Sequence, residues 1–394
     1  MLKRVAAITF ILACTSTAWF ILAHTIYSRT YESNDRLRPG VASNWGAPQT
    51  QRPPIAHFDR EEPNRVDAGT HHTAVLLPIE SSRIQVGLSL DYRQKGLLWY
   101  STYVVNFDGA FKFHNAAGEQ RLVTFELPFP AEQAIYDGVV MEVNGRSIPI
   151  TADKHGAVIA ATLQADEIAT LRVAYRSQGL ESWTYKLGDD ATQSRDFQLH
   201  MKTDFKKIDF PANALSPRAK REIPGGWDLD WRYSNLISGF TISMTMPERL
   251  QPGPLAGEIS YFVPVSLLLF FFLIFVITTL REIDLHPMNY FFLAAAFFAF
   301  HLLLAYLVDH VSIHIAFAIC SAVSGFLVVS YLRLVIGLRF AVMEAGIAQL
   351  IYLVLFSYAF FMALSRARKP RKQAVFGIFQ QPASTTVLEN NILV

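Results

Sequence analysis

Four long apolar runs follow one another at residues 259–280, 289–308, 313–335 and 340–364, with almost no soluble sequence between them. The first contains Leu267-Leu-Leu-Phe-Phe-Phe-Leu-Ile-Phe-Val-Ile277 without interruption. At about 1.5 Å per residue a helix of this length covers about 33 Å, enough for the roughly 30 Å hydrocarbon core of a bilayer. A helix on the surface of a soluble protein carries polar residues on one face at helical period, and these runs carry almost none. This half of the chain is built for a membrane. The residues upstream are then what that anchor holds.

Charge and cysteine content narrow the rest. A formal net charge of +2 gives no argument for nucleic-acid binding, and no nucleic-acid partner is expected. The two cysteines, Cys14 and Cys320, both fall inside apolar runs, which excludes a disulfide framework for an exported domain. No cofactor is expected.

Met1-Leu-Lys-Arg4 is a short basic start, read as cytoplasmic, and residues 5–26 form a first span. A cleaved signal peptide would have a shorter apolar core. A lipoprotein would turn polar after Cys14, whereas Trp19-Phe-Ile-Leu22 stays apolar. A retained anchor is therefore expected.

Residues 27–73 are rich in Pro, Arg and Asn and read as an extended stalk. Residues 74–258 read as β. Tyr103-Val-Val-Asn-Phe107, Asp108-Gly109 and Ala110-Phe-Lys-Phe-His114 give one hairpin signal, because Asp-Gly supplies the positive-φ positions of a tight turn. Val139 to Val143, Asn144-Gly145 and Arg146 to Ile150 give a second. Val123, Phe125 and Leu127 alternate with polar neighbours, as do Phe197, Leu199 and Met201. Period-two alternation means one buried and one wet face, which predicts antiparallel sheets stacked as an all-β sandwich between an N-terminal anchor and a C-terminal helical bundle.

With the N-terminus inside, the turn 281–287 lies inside, Asp309-His310 outside and 333–339 inside, in keeping with the positive-inside tendency. A fifth span would leave the C-terminus outside, yet residues 365–394 open with Arg366-Ala-Arg-Lys-Pro-Arg-Lys372, the most basic stretch of the chain. Span parity and charge bias conflict there.

Asp284-Leu-His-Pro-Met-Asn-Tyr290, Asp309-His310 and Tyr331-Leu-Arg-Leu-Val-Ile-Gly337 resemble the CreD inner-membrane proteins of Gram-negative bacteria. Tyr92-Arg-Gln-Lys-Gly-Leu-Leu-Trp-Tyr100, Gly225-Gly-Trp-Asp-Leu-Asp-Trp231 and Pro252-Gly-Pro-Leu-Ala256 are also similar to that family. The resemblance covers roughly residues 80 to 361. It implies one N-terminal anchor, a large periplasmic domain, a C-terminal helix cluster and a role in envelope integrity or envelope stress, with no catalytic residues to carry over. Similar proteins continue into a further helix after Phe361, which would resolve the parity conflict.

The chain has no Gly-rich phosphate loop, no His-Glu-x-x-His and no Gly-x-Ser-x-Gly. Weaker constellations remain. His310 and His314 stand four apart and would share a helix face, where Asp309 could complete a Zn²⁺ or proton site, although histidines at a membrane interface more often sit in headgroup water. His301 lies mid-span, where a bond to a neighbouring helix is the plainer role. Arg333 and Glu344 flank the turn between the last two spans and are expected to pair across it. Trp227, Leu229 and Trp231 share one strand face, opposite Asp228 and Asp230, and could offer a glycan-binding face or simply fill a core. The charged turn at residues 281–286 could receive a cytoplasmic partner.

The function expected from all this is non-enzymatic: a multi-pass inner-membrane protein whose periplasmic β domain supports or monitors the envelope. Its partners would be the lipid bilayer and envelope components or other membrane proteins. The competing reading is a proton- or metal-dependent transporter or enzyme using Asp309, His310 and His314.

Overall fold

In the computed structural model, residues 2–63, 70–188, 193–249, 251–308 and 310–367 are described. Five helices are long and apolar enough to cross a membrane. These are α1 (Leu2–Trp45), α2 (Pro252–Leu280), α3 (Pro287–Leu307), α4 (Ile313–Val335) and a fifth span, Leu338–Leu364. The fifth is irregular: π-helical turns at Ala341–Gly346 and Leu350–Leu355 flank a short α-helical piece at Ile347–Gln349. Proline opens both α2 and α3, where its missing N–H costs nothing. The core of the bundle is aromatic, with Phe270, Tyr290, Phe297 and Phe300 fully buried and Trp19 packed against them from α1. Much of the outer surface of these helices is bare Leu, Ile, Phe and Val, as a lipid-facing surface requires.

Over the described part of the stalk expected at residues 27–73, helix and strands are found instead. Helix α1 continues without a break to Trp45, a length of about 66 Å at the standard rise, roughly twice a bilayer core. Its upper half is polar, but Leu37, Val41 and Trp45 recur every fourth residue and lie on one helix face. That stripe packs on Leu98, Tyr100 and Leu180 of the β domain. Pro39 removes one backbone bond, which tertiary packing outweighs. Gly46, at φ +95°, ends the helix, its N–H donating to the Ala42 carbonyl at 3.0 Å.

Strands then begin at Gln49, upstream of the expected start at residue 74. The sixteen strands are β1 (Gln49–Gln51), β2 (Ile55–Pro63), β3 (Thr70–Leu77), β4 (Ile79–Lys95), β5 (Leu98–His114), β6 (Arg121–Pro128), β7 (Tyr136–Val143), β8 (Arg146–Ser147), β9 (Thr151–Ala152), β10 (Gly156–Leu163), β11 (Ile168–Leu180), β12 (Ser182–Lys186), β13 (Gln193–Thr203), β14 (Ala219–Ile223), β15 (Gly226–Ile237) and β16 (Thr241–Thr245). They form an eight-stranded sheet in the order β14-β15-β13-β4-β5-β11-β7-β8, a five-stranded sheet β3-β2-β6-β10-β9 and a three-stranded sheet β1-β12-β16. One shared core fills the space between them, built on Val86, Phe107, Phe111, Phe125, Trp183 and Trp231. Most ladders are antiparallel, but β4 with β13 and β1 with β12 run parallel, so the purely antiparallel expectation is corrected.

The hairpin expected at Asp108-Gly109 is also corrected. Strand β5 runs straight through both residues and pairs along its length with β4 and β11. Asp108 accepts from Arg172 on β11 at 2.8 Å, and a Cβ on Gly109 would stand 2.7 Å from the Phe111 ring, so the glycine makes room for aromatics rather than for a turn. The chain reverses instead at Gly96-Leu97, between β4 and β5, with Gly96 at φ +60°. Asn144-Gly145 does form a turn, with φ of 52° and 76°, as expected for a type I′ reversal.

Candidate functional site at the junction of sandwich and helices

The β domain meets the helices at their upper ends. The start of α2, the end of α3, the start of α4 and the end of the fifth span all lie at this level, facing the β4–β5 hairpin tip. Between them is a cavity of about 390 Å3, lined by Gln94, Leu97 and Trp99 from the hairpin, Arg249 from the linker, and Leu255, Val308, His310, Val311, Ser312, Ile313 and Phe361 from the helix ends. Three stretches singled out in the sequence, residues 92–100, 252–256 and 309–310, converge here, although Asp309 itself lies outside the described residues.

The domain is tied down on both sides of this cavity. The Gln251 amide donates to the Trp99 carbonyl at 2.5 Å, while its oxygen accepts from the Trp99 N–H at 3.1 Å, completing a strand-like pair across the linker. Arg38, on the extended part of α1, grips Glu181 through two hydrogen bonds of 2.9 and 2.5 Å. The Glu181 carboxylate holds the Arg38 guanidinium above its ordinary range, first by hydrogen bonding and then by charge. Tyr92 and Ser101 both donate to the Pro247 carbonyl, at 2.9 and 2.8 Å, clamping the strand that leads into α2. Burial pushes the Tyr92 phenol upward, against the pull of the nearby Arg249 charge. Arg249 lies flat over Trp99, its guanidinium carbon 3.7 Å from the ring centroid.

Of the candidate site at 309–314, Asp309 lies outside the described residues, and the two histidines belong to different local structures. His310 sits in the turn after α3, stacked edge-on against Tyr306, whereas α4 begins only after Ser312. The two histidines therefore do not share a helix face. His314 instead lies beside Phe361 and within 3.4 Å of the Tyr358 hydroxyl. Among the described residues no group of three metal-ligating side chains comes together.

The expected Arg333–Glu344 pair is replaced by another. Glu344 bonds Arg281, at the end of α2, at 2.5 Å, and Arg333 is exposed. The reason is geometric: Glu344 points into the bundle at 16% side-chain exposure, where the end of α2 is its neighbour, while Arg333 looks outward. This lower end also joins two further stretches of the sequence, the Tyr331 hydroxyl donating to Asn289 at 2.5 Å, and brings Arg4 within 3.8 Å of Asp284.

The aromatic face on β15 is core. Trp231 and Leu229 are fully buried, with the Trp231 indole donating to the Leu215 carbonyl at 2.9 Å. Trp227 is capped by the Lys220 ammonium 4.1 Å from its ring centroid. On the opposite face Asp230 takes Arg232 at 2.7 Å, with His200 within 3.4 Å of Asp228. Trp231 is thus taken up by the core, whereas Trp227 is half-buried under Lys220.

Sequence reasoning underrated the polar groups buried inside the bundle. His301 is buried, its Nδ1 3.0 Å from the Phe297 carbonyl and its ring edge-on to Trp19. One to two turns away the Ser324 hydroxyl donates to the Ala296 carbonyl at 2.7 Å, and Gln349, between the two π-helical turns, donates to Ser324 at 2.7 Å. Their signal was a Ser and a Gln inside otherwise apolar runs.

No family model matches the chain, and no curated protein matches it. Solved structures offer distant likenesses only. A Legionella pneumophila protein described as nutrient-binding shares 10% identity over 57% of this chain and 76% of its own, with a TM-score of 0.36. An M1 zinc metallopeptidase of Deinococcus radiodurans shares 10% over 43% of this chain and 42% of its own, at 0.28. Leukotriene A4 hydrolase of Saccharomyces cerevisiae shares 7% over 43% of this chain and 29% of its own, at 0.26. The chain spans less than half the length of these two enzymes. Likenesses at this level carry no argument about chemistry.

Proposed function

We propose that this is a CreD-like, non-enzymatic protein of the bacterial inner membrane, whose β-sandwich stands in the periplasm and passes the state of the envelope to the helices. The observation that carries this reading is the double attachment of the sandwich. It is held at its entry by a continuous helix with the Arg38–Glu181 clamp, and at its exit by the Gln251–Trp99 pair. A domain hung on a flexible stalk could move without consequence for the bundle; one clamped at both ends cannot. Orientation follows charge. The end of the bundle away from the sandwich carries Lys3, Arg4, Arg281, Arg333 and Arg339, which favours that end as cytoplasmic.

The test is complementation. Cells lacking the protein and showing detergent sensitivity receive the wild-type chain or an Arg38→Ala/Gln251→Ala variant. The variant is expected to accumulate normally in the membrane and to leave the cells sensitive. Full protection by the unclamped variant would contradict coupling.

A transporter remains the second reading, and the observations that favour it are the buried Gln349–Ser324 bond beside π-helical turns and a separately buried His301 on α3. Loss of function in His301→Ala with the clamps intact would support it.

A further inference from the structure

The junction cavity has two kinds of wall. On the helix side Leu255, Val308 and Phe361 are buried and apolar. On the domain side stands Arg249, exposed and stacked on Trp99, and His310, in the turn after α3, lines the same space. Among the described residues no carboxylate lines the cavity, and Arg249 has no ion-pair partner. Its depth follows from the fold: it lies at the ends of four helices apolar enough to cross a membrane, the level at which hydrocarbon gives way to headgroups. A cation above an apolar slot at that level is complementary to an amphiphile with an anionic head. A volume of about 390 Å3 accommodates a head and the first carbons of its chains, the remainder lying in the bilayer beside the bare helix faces.

We propose that this cavity binds an anionic glycerophospholipid of the leaflet facing the sandwich, with the phosphate at Arg249 and His310 and a chain along Leu255, Val308 and Phe361. The Arg249 guanidinium on its rim favours a head of net negative charge over a zwitterionic one. The apolar walls disfavour a free phosphate, which would leave them unused. The bound lipid bridges the hairpin tip and the helix ends, so leaflet composition sets how firmly the sandwich is seated. This rests on the reading that the domain stands over the outer ends of a membrane bundle.

The experiment is native mass spectrometry of the full-length chain in detergent, with dioleoyl-phosphatidylglycerol, dioleoyl-phosphatidylcholine or glycerol 3-phosphate added. Phosphatidylglycerol is expected to be retained in preference to phosphatidylcholine, and glycerol 3-phosphate not at all. Arg249→Gln is expected to lower phosphatidylglycerol retention about fivefold, the effect of one basic residue at a lipid surface. Arg249→Lys, which keeps the charge, should retain most of it, and Arg232→Gln, on the outer sheet face, should retain all of it. Equal retention of the two lipids overturns the proposal, as does unchanged binding by Arg249→Gln. Equal loss in the Gln and Lys variants overturns it too, because charge would then not be what holds the lipid. Retention of glycerol 3-phosphate as strong as that of the lipid would make the cavity a free phosphate site. Binding is read on purified protein, so its failure leaves the complementation result standing, and the reverse.

Discussion

Glu344 shows how a single carboxylate chooses its partner. At 16% side-chain exposure it is poorly solvated, which favours a cationic partner, and the one within reach is Arg281 after α2 rather than Arg333 on α4. Arg281 is 57% exposed, so solvent screens the pair and its contribution is modest, about 1 kcal/mol. Removing the cation adds the cost of a poorly solvated carboxylate. Arg281→Gln is therefore expected to lower the thermal midpoint of the purified protein measurably, Arg333→Gln to leave it unchanged, and Arg281→Gln/Glu344→Gln to recover part of the loss. Equal effects of the two single substitutions would place the pair elsewhere. Both charges were legible in the sequence as costly near a membrane; which arginine answers Glu344 was not, because that depends on how three helices pack and not on the turn that separates two of them.

At the scale of the element, local signals were read well where local chemistry decides. Asn144-Gly145 adopts the positive φ angles its residues favour, and Val123, Phe125 and Leu127 face the core on β6 as their alternation requires. Asp108-Gly109 carries the same turn signal and lies mid-strand, because ladders on both sides and the Phe107 and Phe111 rings hold it extended. The upper half of α1 failed in the other direction: its polar composition hid a stripe of three apolar residues spaced by four. That stripe makes its own prediction. Val41 is fully buried against Leu98, Tyr100 and Leu180, so Val41→Ala should cost about 1–2 kcal/mol. The loss should appear as faster amide hydrogen exchange over residues 37–45 while exchange in the sandwich core stays slow. Uniformly faster exchange across the sandwich would mean that α1 is part of one cooperative unit rather than a docked helix.

At the scale of the molecule, the stretches of sequence that stood out sort to two ends of the bundle. Residues 92–100 and 252–256 meet at the junction with the sandwich, together with His310. Asn289 and Tyr331 meet each other at the far end. The stretches stood out singly, but that they meet could not have been read from the chain, since the junction joins a hairpin tip, a linker and four helix ends that are far apart in sequence. Five apolar runs were legible, and among the described residues five helices are long and apolar enough to cross a membrane. The basic stretch that opposes their parity lies almost entirely outside the described residues. Sidedness is thus the claim on which coupling and lipid binding both rest. The most direct test places single cysteines, Lys220→Cys on the sandwich edge or Arg339→Cys at the start of the fifth span, in a Cys14→Ser/Cys320→Ser background and treats intact spheroplasts with a membrane-impermeant maleimide. A sandwich in the periplasm predicts that Lys220→Cys reacts at once and Arg339→Cys only after permeabilisation; the opposite order, or immediate reaction of both, contradicts it.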